Sequence, residues 1–215
     1  MISAIETQLR FFGNFLKEPN RVGAVAPSSS RLCAALCGPA RAFAGPRYIL
    51  EVGAGTGAAT RQIGRLLTKA DRLDICEISD RFADILERDV LSAPEFARHV
   101  KAGRVRLLRM PVQELPGERQ YDFILSGLPL TSFALREVEA VFEVIRRVLK
   151  PGGVFSYFEY MWLRRTKRVL AVGPKRQQIR DVSAYLTQTL RRHRFAKSQV
   201  FRNLPPAYAH HLRFD

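Results

Sequence analysis

The 215-residue sequence predicts an α/β domain, a seven-stranded and mostly parallel sheet covered by helices, with an antiparallel last strand. Three observations predict it. Short apolar runs alternate with helical stretches through the middle of the chain, the pattern of strand, helix and parallel strand. A glycine-rich loop follows the first of these runs and opens a helix. The length suits one domain, since domains cluster near ~100 to 200 residues, and 47% hydrophobic with 26% charged residues is a globular composition.

The elements follow in order. Ile2, Ile5, Leu9, Phe12 and Leu16 recur at three and four, and Phe11 and Phe15 widen that face beside Arg10 and Lys17, so the N-terminus reads as an amphipathic helix. Such a helix lies in a lipid headgroup boundary or packs on the body, and Gly13 weakens it standing alone by ~1 kcal/mol relative to Ala. Arg47 to Val52 reads as the first strand and Arg61 to Lys69 as part of the helix after it. Arg72 to Glu77 is the second strand, Arg81 to Val90 a helix, Arg104 to Arg109 the third strand and Tyr121 to Ser126 the fourth. Val138, Val141, Phe142, Ile145, Val148 and Leu149 have helical spacing within Arg136 to Leu149, and Pro151-Gly152-Gly153 ends that helix before a fifth strand, Val154 to Tyr160. A basic helix over about 175 to 194 precedes extended runs at Ala196 to Arg202 and Ala207 to Phe214. Their short connection predicts an antiparallel pair at the sheet edge, because a parallel crossover needs about a dozen residues or more.

Charge is unevenly placed. The chain carries 35 Lys+Arg against 20 Asp+Glu, net +15, which makes nucleic acid or an anionic membrane surface the candidate partners. Residues 51 to 145 are close to neutral, with 13 basic and 15 acidic residues, whereas residues 146 to 215 hold 16 basic and 3 acidic. A basic face on a neutral body reads as a docking surface, although Arg164, Arg165, Lys167 and Arg168 also read as a solvated helical face. Cys33, Cys37 and Cys76 are too scattered for a disulfide framework or a zinc site and read as buried reduced thiols. No segment approaches the ~18 to 20 apolar residues of a membrane span, and no signal or transit pattern opens the chain. A cytoplasmic protein that reaches the inner face of the cell membrane from the side is expected.

The chemistry begins at Leu50-Glu51-Val52-Gly53-Ala54-Gly55-Thr56-Gly57-Ala58. Glycines there permit a tight turn and close approach of a ligand to the backbone, at a helix N-terminus that offers unpaired N–H groups. Twenty residues past Gly57, Glu77 ends the second strand, where a carboxylate accepts both hydroxyls of a ribose. An adenosine-containing ligand follows. Gly53-x-Gly55-x-x-Ala58 also satisfies the dinucleotide fingerprint. Gly57, the acid Glu51 before the loop and the Pro-Gly-Gly before the fifth strand favour S-adenosylmethionine, and in them residues 47 to 160 resemble the class I methyltransferases. That resemblance implies their Rossmann-like fold and a cofactor site at Glu51, Gly53, Ala54, Gly55, Thr56, Gly57, Glu77, Ile78, Val112, Gln113 and Ser126. The acid that such enzymes often place after the third strand is missing, with Pro111 in its stead. Adenine is therefore expected against backbone and apolar groups around Val112, with Gln113 as its polar reader.

After the fourth strand comes Ser126-Gly127-Leu128-Pro129-Leu130. Adenine and amine N-methyltransferases often carry an Asn/Asp-Pro-Pro-aromatic or Asn-Leu-Pro-Tyr motif at this place. Here Gly127 and Leu130 stand for the amide and the aromatic, which disfavours nucleic acid as substrate. With Phe15-Leu16-Lys17, Val22 to Ser29 and Arg202 to Ala207, these segments resemble the bacterial phospholipid N-methyltransferases, which act on phosphatidylethanolamine, and their ornithine-lipid-methylating relatives. The resemblance implies a membrane-associating helix and active-site cap over residues 1–30, a methyltransferase domain over 31–215, an anionic bilayer as partner and an amino-phospholipid as substrate.

Methyl transfer from a sulfonium is an in-line displacement that needs alignment and a neutral amine. Carbonyls of Gly127 and Leu128 are expected to hold the amine and Tyr160 to orient it, a tyrosine of ordinary pKa near ~10 being a poor base. Arg21, Ser28 and Ser29 are candidates for the lipid phosphate, while Pro27-Ser28-Ser29 reads equally as a helix N-cap. His210 and His211 read as structural or exposed. An RNA or small-molecule N-methyltransferase, or a non-catalytic protein binding S-adenosylmethionine or membranes, are the alternatives.

Overall fold

The computed structural model describes residues 29–161 and 174–214. The expected N-terminal helix, Arg21, Ser28 and the basic run Arg164 to Arg168 lie outside the described residues. The elements are α1 (Ser30–Cys37), β1 (Tyr48–Val52), α2 (Ala58–Gly64), β2 (Arg72–Cys76), α3 (Asp80–Ile85, continued by a π-turn over Leu86–Leu91) and α4 (Pro94–Lys101). Then come β3 (Val105–Leu108), β4 (Tyr121–Ser126), α5 (Leu135–Val148), β5 (Leu149–Tyr160), α6 (Pro174–His193), β6 (Arg194–Val200) and β7 (Ala207–Leu212).

The seven strands form one sheet in the order β3-β2-β1-β4-β5-β7-β6. β1 through β5 run parallel, and β7 is antiparallel to both neighbours. The reversed strand is therefore inserted beside β5, and β6 forms the edge, where exposed Arg194, Lys197 and Gln199 discourage pairing with another chain. Because the strand order reverses between β1 and β4, the carboxyl ends of these strands leave a crevice.

Three sequence expectations shift. α2 starts at Ala58, where Gly57, at φ 81°, turns the chain straight into the helix of which Arg61 was expected to be part. It ends at Gly64 rather than near Lys69, since the chain then tightens to carry Leu67 into the core. β5 begins at Leu149, which pairs with Tyr121, while Val154 pairs with Phe123, so the Pro151-Gly152-Gly153 segment is a bulge within the strand rather than a stop before it. α4 was not anticipated; Pro94 starts it and Phe96 is buried against Gly64.

Two apolar layers cover the sheet. On one face Phe142 of α5 meets Phe155, Tyr157, Tyr185 and Phe214 edge-on, with centroids 5.6, 6.1, 5.6 and 6.3 Å away, contacts worth about 0.5–1.5 kcal/mol each beyond area burial. The other face packs Leu32 and Leu36 of α1, Ile63 of α2 and Phe96 of α4 against Ile49, Ile75 and Phe123. At the amino edge, buried Asp74 accepts from the hydroxyls of Tyr48 and Tyr121, each at 2.8 Å, and from Arg106 at 2.6 Å. The opposite edge is thereby left to carry the site.

Candidate active site

The glycine loop takes its shape from three left-handed residues, Gly53 (φ 70°), Gly55 (56°) and Gly57 (81°), a conformation that side chains disfavour. Gly53 and Gly57 are also closely packed: a Cβ on them would lie 2.5 Å from Leu128 and 2.6 Å from Val90. Gly55 differs, because a Cβ there would meet nothing within 4 Å. This is the side of the loop on which a ligand can rest against bare backbone. Ala54 turns its methyl into the core and Thr56 is exposed, so the loop offers ligands its main chain.

Glu77 is drawn up to that loop. The Gly55 N–H donates to its Oε2 at 2.8 Å and the Ser79 N–H to its Oε1 at 2.9 Å. Burial pushes its carboxyl above the usual range, against the pull of the backbone N–H groups of Ser79, Gly55 and Ile78. Both oxygens keep acceptor capacity beyond these bonds, which fits a ribose diol.

A cleft opens beside them, its roughly 530 Å³ of empty space continuing into open solvent. Val52 and Gly53 form one end, Glu77 and Ile78 one wall, and Met110 to Gln113 the next, while Leu128, Phe133, Glu137 and Val141 close the far side. The lining is mostly apolar, as a site for a flat heterocycle requires. Gln113 sits in it, where a polar reader of the base was expected, and the Cys76 thiol is turned to the Met110 carbonyl at 3.2 Å. Glu137 was missed. It is the third residue of α5, its Oε2 accepts the Ala134 N–H at 2.7 Å, and the same side chain borders the cleft. The available signal, an acid at the third helical position, points by itself only to an N-terminal cap.

The loop after β4 meets the glycine loop directly. Gly127 donates its N–H to the Val52 carbonyl at 2.8 Å, and a Cβ on Gly127 would stand 2.4 Å from the Gly53 carbonyl oxygen. Position 127 therefore has no room for the side chain of a base-gripping amide. Ser126 is buried and its Oγ accepts the Leu128 N–H at 3.2 Å, so it shapes this loop and does not line the cleft. The Leu128 carbonyl accepts Leu130 N–H at 2.9 Å in a tight turn about Pro129, while no loop backbone bond among the described residues ends on the Gly127 carbonyl. Of the two residues whose carbonyls were expected to hold an amine, Leu128 borders the cleft and Gly127 does not; one bond leaves the Leu128 carbonyl a second lone pair.

Other expected residues lie elsewhere. Glu51 is on the opposite face of the sheet from the cleft lining; burial pushes its carboxyl up to about 8, and its Oε2 has no hydrogen-bond partner among the described residues. Tyr160 belongs to that same layer and does not border the cleft. Burial pushes its phenol up to about 12 and its hydroxyl has no partner among the described residues, so it is no base at neutral pH. Ser29 is the N-cap of α1, its Oγ accepting the Leu32 N–H at 3.2 Å, which engages the oxygen expected to meet a phosphate. His210 and His211 are buried; His211 Nδ1 lies 2.7 Å from the Ser156 hydroxyl, and burial lowers its pKa to about 4. All three cysteines are buried free thiols, and no cluster of metal-ligating side chains occurs among the described residues.

Comparison with known proteins agrees with this geometry. Residues 49–153 match a family profile described as a methyltransferase domain. The chain is 32% identical over 151 residues to an ornithine lipid N-methyltransferase of Singulisphaera acidiphila, covering 70% of this chain and 77% of that protein. Among solved structures it superposes on the 1,6-didemethyltoxoflavin-N1-methyltransferase of Burkholderia thailandensis, bound to S-adenosylhomocysteine, with a TM-score of 0.64 at 18% identity over 99% of this chain and 91% of that one. The O-methyltransferase TomG of Streptomyces achromogenes, in complex with its methyl donor, gives 0.60 at 16% identity over 100% and 91%. At such identities the two structures establish the fold.

Proposed function

Because the chain belongs to the class I S-adenosylmethionine-dependent methyltransferases, we propose that it methylates the amine of a membrane amino lipid, with the ethanolamine headgroup of phosphatidylethanolamine as first candidate. The similarity to an ornithine lipid N-methyltransferase across 77% of that protein is the observation that carries this reading. The loop after β4 supports it: where a nucleobase would have to be gripped, Gly127 is packed against the Gly53 carbonyl and Leu130 is buried.

The residues present fit the cofactor. Gly55 leaves backbone exposed where a ligand can lie, Glu77 is placed for the ribose, and Ile78, Val112 and Leu128 enclose the apolar space beyond it. When bound, S-adenosylmethionine supplies an electrophilic methyl group. The chain's own work is alignment and proton management. A main-chain carbonyl of the Gly127-Leu128 loop accepts an N–H of the amine and sets the direction of its lone pair. An ammonium must lose a proton before it attacks; among the described residues no side chain on the cleft is a neutral base, and water is the proton acceptor in this reading. Glu137 adds a negative charge at the far side of the cleft, and bonding to the Ala134 N–H fixes it there.

The test offers labelled S-adenosylmethionine to the full chain with vesicles of phosphatidylethanolamine, with vesicles of ornithine lipid, and with RNA. Label is expected in the lipid amines. Label in RNA alone would overturn the reading, and label in ornithine lipid alone would transfer the proposal from the ethanolamine headgroup to that lipid.

A further inference from the structure

The connection between β6 and β7 lies at the edge where the cleft opens. Val200 pairs with Ala207, and Ala207 pairs with Tyr160 at the carboxyl end of β5, the same end at which β1 and β2 deliver Val52 and Glu77. Among the described residues four large apolar side chains are exposed: Val100, Phe195, Phe201 and Leu204. Phe195 has the Arg213 guanidinium over its ring at 4.4 Å, and Val100 sits in the last turn of α4, near the amino edge. The other two share the β6–β7 turn, with Phe201 64% and Leu204 79% exposed.

The turn is built to hold them outward. Asn203, between them, is buried; its Nδ2 donates to the Pro205 carbonyl at 2.7 Å, and its Oδ1 accepts the N–H of Ser29 at 3.0 Å. The Met161 N–H donates to the Pro206 carbonyl at 2.7 Å, tying the turn to the end of β5. With Asn203 anchored inward, Arg202 and Leu204 project outward, and the exposed Arg202 forms none of the ion pairs among the described residues. Two apolar side chains flanking a cation, on a braced turn, have the makeup of a surface that enters a headgroup boundary.

We propose that the Phe201 to Pro205 turn docks the protein on an anionic lipid bilayer, Phe201 and Leu204 entering the interface and Arg202 meeting lipid phosphates. The occupant follows from charge and place: residues 146 to 215 hold 16 basic against 3 acidic residues, and the turn stands on the edge through which a headgroup must reach the cleft. The assignment deepens the amino-lipid reading and rests on it. A docked turn brings the cleft mouth to the membrane, so the headgroup need leave the bilayer only partly.

The experiment uses the full chain and vesicles of phosphatidylethanolamine with phosphatidylglycerol. In the double variant Phe201→Ser, Leu204→Ser, vesicle binding is expected to fall about tenfold or more, and in Arg202→Glu about threefold or more at low salt. S-adenosylhomocysteine affinity and melting temperature stay at wild-type values, because all three side chains are exposed. Since the native cysteines are buried, Leu204→Cys accepts an environment-sensitive dye; its emission shifts to the blue on vesicles, whereas dye on Val100→Cys does not respond. Wild-type vesicle binding by the double variant overturns the proposal. So does a wild-type protein that fails to bind these vesicles, or a double variant that loses only self-association. A protein that binds through the turn yet labels no amino lipid sinks the proposed substrate and leaves the docking surface standing.

Discussion

Glu51, expected at the cofactor site, lies on the interior face of β1, opposite the cleft. Its carboxyl precedes the glycine loop, yet the pleat sends it away from the cleft into the layer beneath α1 and α2. Burial raises its pKa to about 8, from an ordinary value of 4.5. Between those values the folded protein holds a proton that the unfolded chain releases, so this residue makes stability fall as pH rises from about 4.5 to 8. Glu51→Gln removes that dependence. Melting curves collected from pH 5 to pH 8 are expected to show a shallower decline for the variant than for the wild type, and parallel declines would mean that Glu51 is ionised in the folded state throughout. Glu77, by contrast, faces the loop, where backbone N–H groups stabilise its charge even as burial opposes it. Two carboxylates near one glycine loop thus divide the work, one turned to the ligand edge and the other held in the interior.

At the scale of elements, the contact between the glycine loop and the loop after β4 decides the shape of the cleft. A Cβ on Gly127 would meet the Gly53 carbonyl oxygen at 2.4 Å, and backbone on both sides leaves no flexible group to give way. Gly127→Ala is therefore expected to destabilise the fold by about 1–3 kcal/mol, as overpacking does. It should also weaken S-adenosylhomocysteine binding, because the glycine loop must move. Denaturant titration and ligand titration check the two effects, and a variant unchanged in both would show that the loops do not touch. The strands, the glycine loop and the reversed last strand were legible in sequence because each depends on local pattern: apolar runs, glycines needing positive φ, and a connection too short for a crossover. Tyr160 was placed at the right strand end but on the wrong face, since one residue of register reverses a side chain. Glu137 and Asn203 were not legible as site and brace. Glu137 reaches the cleft only because α5 packs beside Val112–Glu114, and Asn203 braces its turn through Ser29, which is 174 residues away in the chain.

For the molecule as a whole, charge and chemistry occupy different parts of one sheet. The cleft is made by residues 52 to 141, within the stretch that holds 13 basic and 15 acidic residues, whereas the basic excess belongs to residues 146 to 215, the stretch that also supplies β5, β6 and β7 at the other side of the sheet. Ligand binding in the cleft depends on apolar enclosure and on hydrogen bonds at short range, which salt hardly screens; attraction of a basic face to anionic lipid acts over the Debye length, which shrinks from ~10 Å at 0.1 M salt to ~3 Å at 1 M. The two activities should therefore separate with ionic strength. Raising salt across that range is expected to weaken vesicle association tenfold or more, at about 1 kcal/mol for each basic residue near the surface, while S-adenosylhomocysteine affinity changes less than about threefold. The apolar contacts of Phe201 and Leu204 leave a residue of binding that salt does not remove, and it should vanish in the double variant. If cofactor affinity fell in parallel with vesicle binding, the basic tail would be part of the cleft's own electrostatics, and the division between a neutral catalytic centre and a charged docking side would not hold.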